Sequence, residues 1–250
     1  VNVALAALVL PPALAFGSFA NVVAARVPLR RSVSKPRSSC TACGTPIVAR
    51  DNIPIVSYLL LRGRCRSCHA RISPLYPAVE ALTAGLVAAG VLVYGPTAYA
   101  ALASFFLVVL VTLSAADLRY RLVPNRIVIP AAAIALVAHT AIDPSVEWLA
   151  AALGASGFLL VAALVHPQGL GMGDVKLALL LGAMLGRNVT VALMAGFLAA
   201  LVPSLVLLAR HGSGARRMAI PLVPFLALGA VAALFWGDAL LDAYLGLGGG

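Results

Sequence analysis

Phe105-Phe106-Leu107-Val108-Val109-Leu110-Val111-Thr112-Leu113-Ser114-Ala115-Ala116 runs for twelve residues without a charge and stops at Asp117. A stretch apolar on every side has no polar face to offer water, so it is buried or lies in lipid. Extended back to residue 97 it reaches about 20 residues, the length that crosses a bilayer. Outward from it, similar runs occupy 3–26, 78–95, 127–142, 148–165, 175–187, 189–209 and 220–240. Gly95-Pro96 marks a turn before the quoted run, and Arg187-Asn188 divides the sixth run from the seventh. The whole chain is 62% hydrophobic and 10% charged, against about 25% charged in soluble domains. The reading is an all-α polytopic membrane protein of about eight transmembrane helices, with one polar insertion.

The charge is distributed by side. Net charge is +10, and ten of the 18 Lys and Arg lie between Arg26 and Arg71. With the N-terminus outside, the loops 27–77, 117–126, 166–174 and 210–219 fall on the cytoplasmic face. That side then holds 17 of the 18 basic residues, including Arg119, Arg121, Arg126, Lys176, Arg210, Arg216 and Arg217; only Arg187 falls opposite. This is the positive-inside pattern of a multi-pass membrane protein. A basic patch can also mark nucleic acid, but one set between apolar spans points to retention at the cytoplasmic face and to anionic lipid headgroups, not to nucleic acid. The first run could be a cleaved signal peptide; its basic residues follow it instead of preceding it, which favours a retained helix.

Residues 27–77 are too short and polar to build a core alone, and such a segment commonly needs a metal as a staple. Cys40-Thr41-Ala42-Cys43 and Cys65-Arg66-Ser67-Cys68 form two C-x-x-C knuckles, with Gly44 and Gly63 beside them. Two knuckles can close a four-thiolate tetrahedron, the structural zinc arrangement of a zinc ribbon. A pair of disulfides or free thiols is the alternative, disfavoured if the segment is cytoplasmic. His69, next to the last cysteine, could substitute for a ligand or simply sit at the surface. The expected divisions are a first helix, 1–26, a cysteine-rich segment, 27–77, and a membrane domain, 78–250.

Two acids stand at the ends of apolar runs on the basic side: Asp117, and Asp174 within Gly169-Leu170-Gly171-Met172-Gly173-Asp174-Val175-Lys176. Ionisable groups at membrane depth are functional candidates. Each could instead pair with a neighbouring basic residue, and Asp174 could cap a helix. Together they offer two carboxyls that share one proton, one acting as general base on water and the other polarising a carbonyl. Gly171 and Gly173 would let backbone approach closely.

Gly171-Met172-Gly173-Asp174-Val175-Lys176 resembles the GxGDxK signature of the type IV prepilin peptidases. Asp117-Leu118-Arg119 with Val123-Pro124-Asn125 resembles the motif around that family's first catalytic aspartate, with Val123 where isoleucine is common. Gly17-Ser18-Phe19-Ala20-Asn21 resembles its first-helix motif. The run from Asp51-Asn52-Ile53-Pro54 through Gly63-Arg64-Cys65 to Tyr76-Pro77 and Glu80 resembles its cysteine-rich loop. The likeness covers about residues 16–187. It implies an aspartyl endopeptidase that removes a short basic leader from prepilins and pseudopilins, after a glycine, at the cytoplasmic face of the bacterial inner membrane. It makes Asp117 and Asp174 the catalytic pair, with Gly171, Gly173 and Lys176 supporting the loop, and Cys40, Cys43, Cys65 and Cys68 the zinc ligands. It also implies N-methylation of the new terminus from S-adenosylmethionine; nothing in 27–77 has the glycine-rich pattern of a nucleotide fold. The rival classes are an ion-coupled transporter, which would place its acids near the midplane with an internal repeat, and a zinc-containing scaffold, which leaves the acids unexplained.

Overall fold

The computed structural model describes residues 2–166, 169–212 and 220–246. Arg216 and Arg217, assigned above to a basic-side loop, lie outside the described residues. The described residues form helices and two isolated β-bridges. In chain order the helices are α1 (Asn2–Arg26), α2 (Val56–Leu60), α3 (Leu75–Tyr94), α4 (Ala98–Tyr120), α5 (Asn125–Ile142), α6 (Glu147–Val165), α7 (Met172–Leu185), α8 (Val189–His211) and α9 (Val223–Leu245). Every expected apolar run is a helix or most of one. Two compact units divide the chain, residues 1–115 and 116–250.

In the first unit α1 and α3 pack antiparallel. Asn2 Nδ2 donates to Leu92 O at 3.3 Å near one end, and Asn21 Nδ2 donates to Tyr76 O at 3.1 Å near the other. Ala13, Ala84 and Val87 form the buried seam, with Val9, Leu14 and Val108 against it. Between lipid-facing helices association depends on close packing, so small residues sit where backbones meet. Gly17 is such a point: a Cβ there would stand 2.8 Å from Glu80 Cα and 3.1 Å from Thr83 Cβ.

In the second unit α7 is the central element, touching α5, α6, α8 and α9. Nine of its 14 residues are buried, from Val175 to Leu185. Gly182 meets the α6 backbone at Ala151 and Ala152, and Gly229 of α9 meets α8 at Ala192 and Gly196. At 1.5 Å per residue α7 is about 21 Å long, less than the ~30 Å hydrocarbon core. It continues through a tight turn at Gly186–Asn188 into α8. Seven stretches of the described residues are therefore long and apolar enough to cross a membrane, Met172–His211 counting as one of 40 residues; the sixth and seventh expected runs are its two arms. Glu147 Oε1 accepts the Arg187 N–H at 2.9 Å, and Asn188 Nδ2 donates to Asp238 Oδ1 at 3.0 Å. These polar groups gather at the end of α7 away from Asp174.

The two glycine environments give a stability test. Gly85 has nothing within 4 Å of its ideal Cβ. Thermal unfolding in detergent should show Gly17→Leu destabilised by about 1–3 kcal/mol, the usual cost of overpacking. Gly85→Leu should unfold with the parent. Equal midpoints for both variants would contradict the close α1–α3 crossing.

Candidate active site and metal centre

Helix α4 runs three residues past Asp117, to Tyr120, further than the apolar run alone suggested. It stops where Arg121 takes a left-handed conformation, φ 51°, with its N–H bonded to Asp117 O at 2.8 Å. Pro124 then leads directly into α5. Asp117 is thus carried on a helix, and it is buried, 6% exposed. Its Oδ2 accepts the N–H of Val223 at 3.1 Å. Val223 is the first residue of α9, so the carboxyl caps a helix end whose unpaired N–H groups and dipole attract negative charge.

Asp174 lies in the first turn of α7, which starts at Met172, earlier than the apolar run suggested. Its N–H bonds Gly171 O at 3.0 Å, and its Oδ2 accepts the Gly171 N–H at 3.1 Å. Gly171 is the N-cap, and Asp174, the third helical residue, bonds back to its N–H, so Asp174 supports the cap without occupying the cap position. The side chain is half-buried.

The short segment between α4 and α5 joins these two ends. A Cβ on Gly173 would stand 2.9 Å from Val123 Cγ2 and 3.0 Å from Val123 Cβ. Glycine at 173 thus lets Val123 lie against the turn that carries Asp174. Just beyond this contact, Lys176 Nζ, three residues past Gly173, donates to Asn125 Oδ1, two residues past Val123, at 2.9 Å. The sequence singled out Gly171, Gly173, Asp174, Lys176 and Asp117, and all five fall at this one end of the second unit. What it missed is Val223, since the last apolar runs contributed little to the reading. The available signal was Pro221 and Pro224 around it, because proline in a first turn marks a helix start.

In the first unit the four cysteines converge, their sulfurs all within 4.8 Å of one another. Cys40 Sγ and Cys68 Sγ are 3.8 Å apart, the edge of a tetrahedron with zinc–sulfur bonds of about 2.3 Å. The knuckles repeat one backbone pattern 25 residues apart. Cys40 N–H bonds Thr45 O and Gly44 N–H bonds Cys40 O, both at 2.9 Å; Cys65 N–H bonds Ala70 O at 2.9 Å and His69 N–H bonds Cys65 O at 3.0 Å. Bridges Ser39–Pro46 and Arg64–Arg71 close each loop. His69, φ 58°, occupies the left-handed position that Gly44, φ 72°, fills in the first knuckle, so its place is a turn position. Hydrogen bonds with the Thr45 hydroxyl and backbone bring Cys43 down to about 6, and backbone N–H groups of Cys68 and Ser67 lower Cys65. Both favour the thiolate, the metal-binding form. Arg66 clamps Asp51 through two bonds, 2.8 and 2.6 Å, and holds its carboxyl below the usual range. The donor set and spacing fit a metal ion held by four cysteines.

The helices and these sites define a multi-pass membrane protein with two acids at helix ends of its second unit and a four-cysteine cluster. Residues 12–94 match the bacterial peptidase A24 N-terminal domain, and residues 104–209 match the type IV leader peptidase family. The chain is similar to the prepilin leader peptidase/N-methyltransferase of Bacillus subtilis (strain 168), 37% identical over 93% of this chain and 94% of that one. It is likewise similar to proteins of the same name from Aeromonas hydrophila, 34% identical over 93% and 91%, and Legionella pneumophila, 30% identical over 93% and 92%. No solved structure matches the chain. The chain belongs to the type IV leader peptidase family.

The Gly173–Val123 contact sets up a compensation test. Gly173→Ala should slow the peptidase by about five- to 150-fold, because about 1–3 kcal/mol of crowding displaces the Asp174 turn. Adding Val123→Ala removes the clashing methyls and should restore most of the rate. A Gly173→Ala protein as active as the parent would show that the contact is not limiting.

Proposed function

We propose that this chain is a membrane aspartyl endopeptidase that removes the leader of prepilins or pseudopilins, after glycine, at the cytoplasmic membrane face. Asp117 and Asp174 are its catalytic pair, and the residues from 78 onward form its membrane domain. The observation that carries the reading is their shared surroundings: two carboxyls from separate helices at one end of the second unit, each with Oδ2 taken by a backbone N–H. Oδ1 of each is left for the reaction. One carboxylate takes a proton from water, and the resulting hydroxide attacks the scissile carbonyl carbon. The other carboxyl, protonated, hydrogen-bonds the carbonyl oxygen and stabilises the tetrahedral intermediate. The leaving amine takes a proton as the C–N bond breaks. Lys176 acts through Asn125, holding the start of α7 beside the segment that follows Asp117.

The side assigned to this end follows from charge. Arg119, Arg121, Arg126 and Lys176 cluster near the two acids in sequence, which favours the cytoplasmic side, with the N-terminus outside. The bacterial sources of the relatives favour the inner membrane of a bacterium. A prepilin has an apolar helix behind its leader, and entry sideways from lipid would bring its cut site to this interface.

Zinc is the ion we assign to Cys40, Cys43, Cys65 and Cys68. A closed four-thiolate shell leaves no position for substrate, so its part is to fold residues 27–74. Methyl transfer to the new N-terminus, with S-adenosylmethionine as donor, is supported by the names of the relatives. Between residues 27 and 74 the described elements are a single turn at Ala49–Asp51, the five-residue α2 and two isolated bridges. That is not a βαβ frame for a nucleoside, and no methyl-transfer step is assigned to particular residues.

The test is cleavage of a prepilin by purified protein in detergent. Asp117→Asn and Asp174→Asn keep size and polarity but cannot exchange the proton. Each should fold, judged by an unchanged elution profile and unfolding midpoint, and lose at least about a thousandfold in rate. Cleavage at the parent rate by either variant would remove the dyad and leave the acids with a structural or ion-coupling role.

A further inference from the structure

The buried acid that the peptidase reading leaves unused is Glu80, in the second turn of α3. It is 8% exposed, and its Oε2 accepts the N–H of Ile55 at 2.8 Å. Ile55 precedes α2 and is held at φ 61°. The bond therefore fixes the height of α2 along α3. That height is set by length. At about 1.5 Å per residue, the 20 residues of α3 reach about 30 Å, no more than the hydrocarbon thickness of a bilayer. All of α3 is needed to cross, so Glu80, about 7.5 Å along from Leu75, stands inside the membrane boundary. The start of α2 stands there with it.

What α2 presents at that depth is apolar. Val56, Leu59 and Leu60 share one face and are 48%, 67% and 76% exposed, and Ile53 just before them is 49% exposed. Ser57, on the other face, is buried, accepts the Ile53 N–H and donates to Arg50 O, both at 2.9 Å. The short helix thus turns its hydroxyl inward and its leucines outward, the reverse of a turn facing water. Exposed Arg50, Arg62 and Arg64 flank the leucines. Long basic side chains beside an inserted apolar face reach back to phosphate groups.

We propose that residues 53–60 form an interfacial wedge, with Val56, Leu59 and Leu60 in the acyl boundary of an anionic leaflet and Arg50, Arg62 and Arg64 on its headgroups. The wedge moors the cysteine segment to the bilayer at a second point, besides the helices that enter and leave it. This rests on α3 crossing the membrane and is independent of the peptidase reading. Two other occupants of the leucine face are conceivable in kind, a second copy of the chain and the apolar helix of a substrate. The depth of Glu80 and the flanking arginines favour lipid.

The test is photocrosslinking of the full chain in nanodiscs of phosphatidylcholine and phosphatidylglycerol. A benzophenone amino acid replaces Leu60 or, as control, Ala42 at the exposed tip of the first knuckle. Mass spectrometry should find phospholipid adducts from position 60 at least about fivefold above those from position 42. The position-60 adducts should be richer in phosphatidylglycerol than the disc, and Arg62→Glu with Arg64→Glu should abolish that enrichment. Equal lipid adducts from the two positions, or crosslinks from position 60 mainly to a second copy, would overturn the wedge. Enrichment that survives the charge reversal would overturn the role given to Arg62 and Arg64, and adducts no richer in phosphatidylglycerol than the disc would overturn the anionic preference.

Discussion

The contact between Gly173 and Val123 is the constraint on which the candidate site rests. Backbone at 173 comes close enough to the Val123 side chain that no Cβ fits between them. Because of that approach, the segment leaving α4 lies against the first turn of α7. The approach places Lys176 within reach of Asn125 and brings the Asp174 turn towards the end of α4. The rest of the second unit serves this placement. From Val175 to Leu185 α7 is packed among α5, α6, α8 and α9, which fixes the direction in which its first turn points. At the same end the first N–H of α9 holds the Asp117 carboxyl.

Electrostatics follow from the same arrangement. Each carboxyl sits at a helix N-terminus, α9 for Asp117 and α7 for Asp174. Helix N-termini offer unpaired N–H groups and a partial positive charge without introducing a cationic side chain. A carboxylate can therefore exist in a low-dielectric setting without a cationic partner. A lysine or arginine in direct contact would hold a carboxylate more tightly, and would leave it a poorer base. Lys176 is instead engaged with the Asn125 amide.

Much of this was legible in the chain. The apolar runs located all the long helices, since each needs about 20 residues of uninterrupted apolar character to cross lipid. The C-x-x-C spacing located the cysteine cluster, because a knuckle is a local structure and its geometry is set by neighbouring residues. The helix ends at the two acids were less legible. Asp117 belongs to α4 and Asp174 to α7, because a polar residue in a terminal turn stays helical when its carboxyl finds a backbone donor. Val223 could not be found from local pattern, since its N–H meets a residue 106 positions earlier. The division of α7 from α8 was visible at Arg187-Asn188. That α7 is a short helix buried over most of its length was not, because burial among helices and burial in lipid demand the same apolar sequence.

The most direct measurement of the account is a double-mutant cycle on Asp117 and Asp174, followed by prepilin cleavage rate. Groups that act as one unit lose their function when either is removed, so a second removal costs little more. The account predicts that Asp117→Asn/Asp174→Asn cleaves at the same residual rate as each single variant. Losses that multiply in the double variant would show two acids acting independently, and would contradict a shared proton.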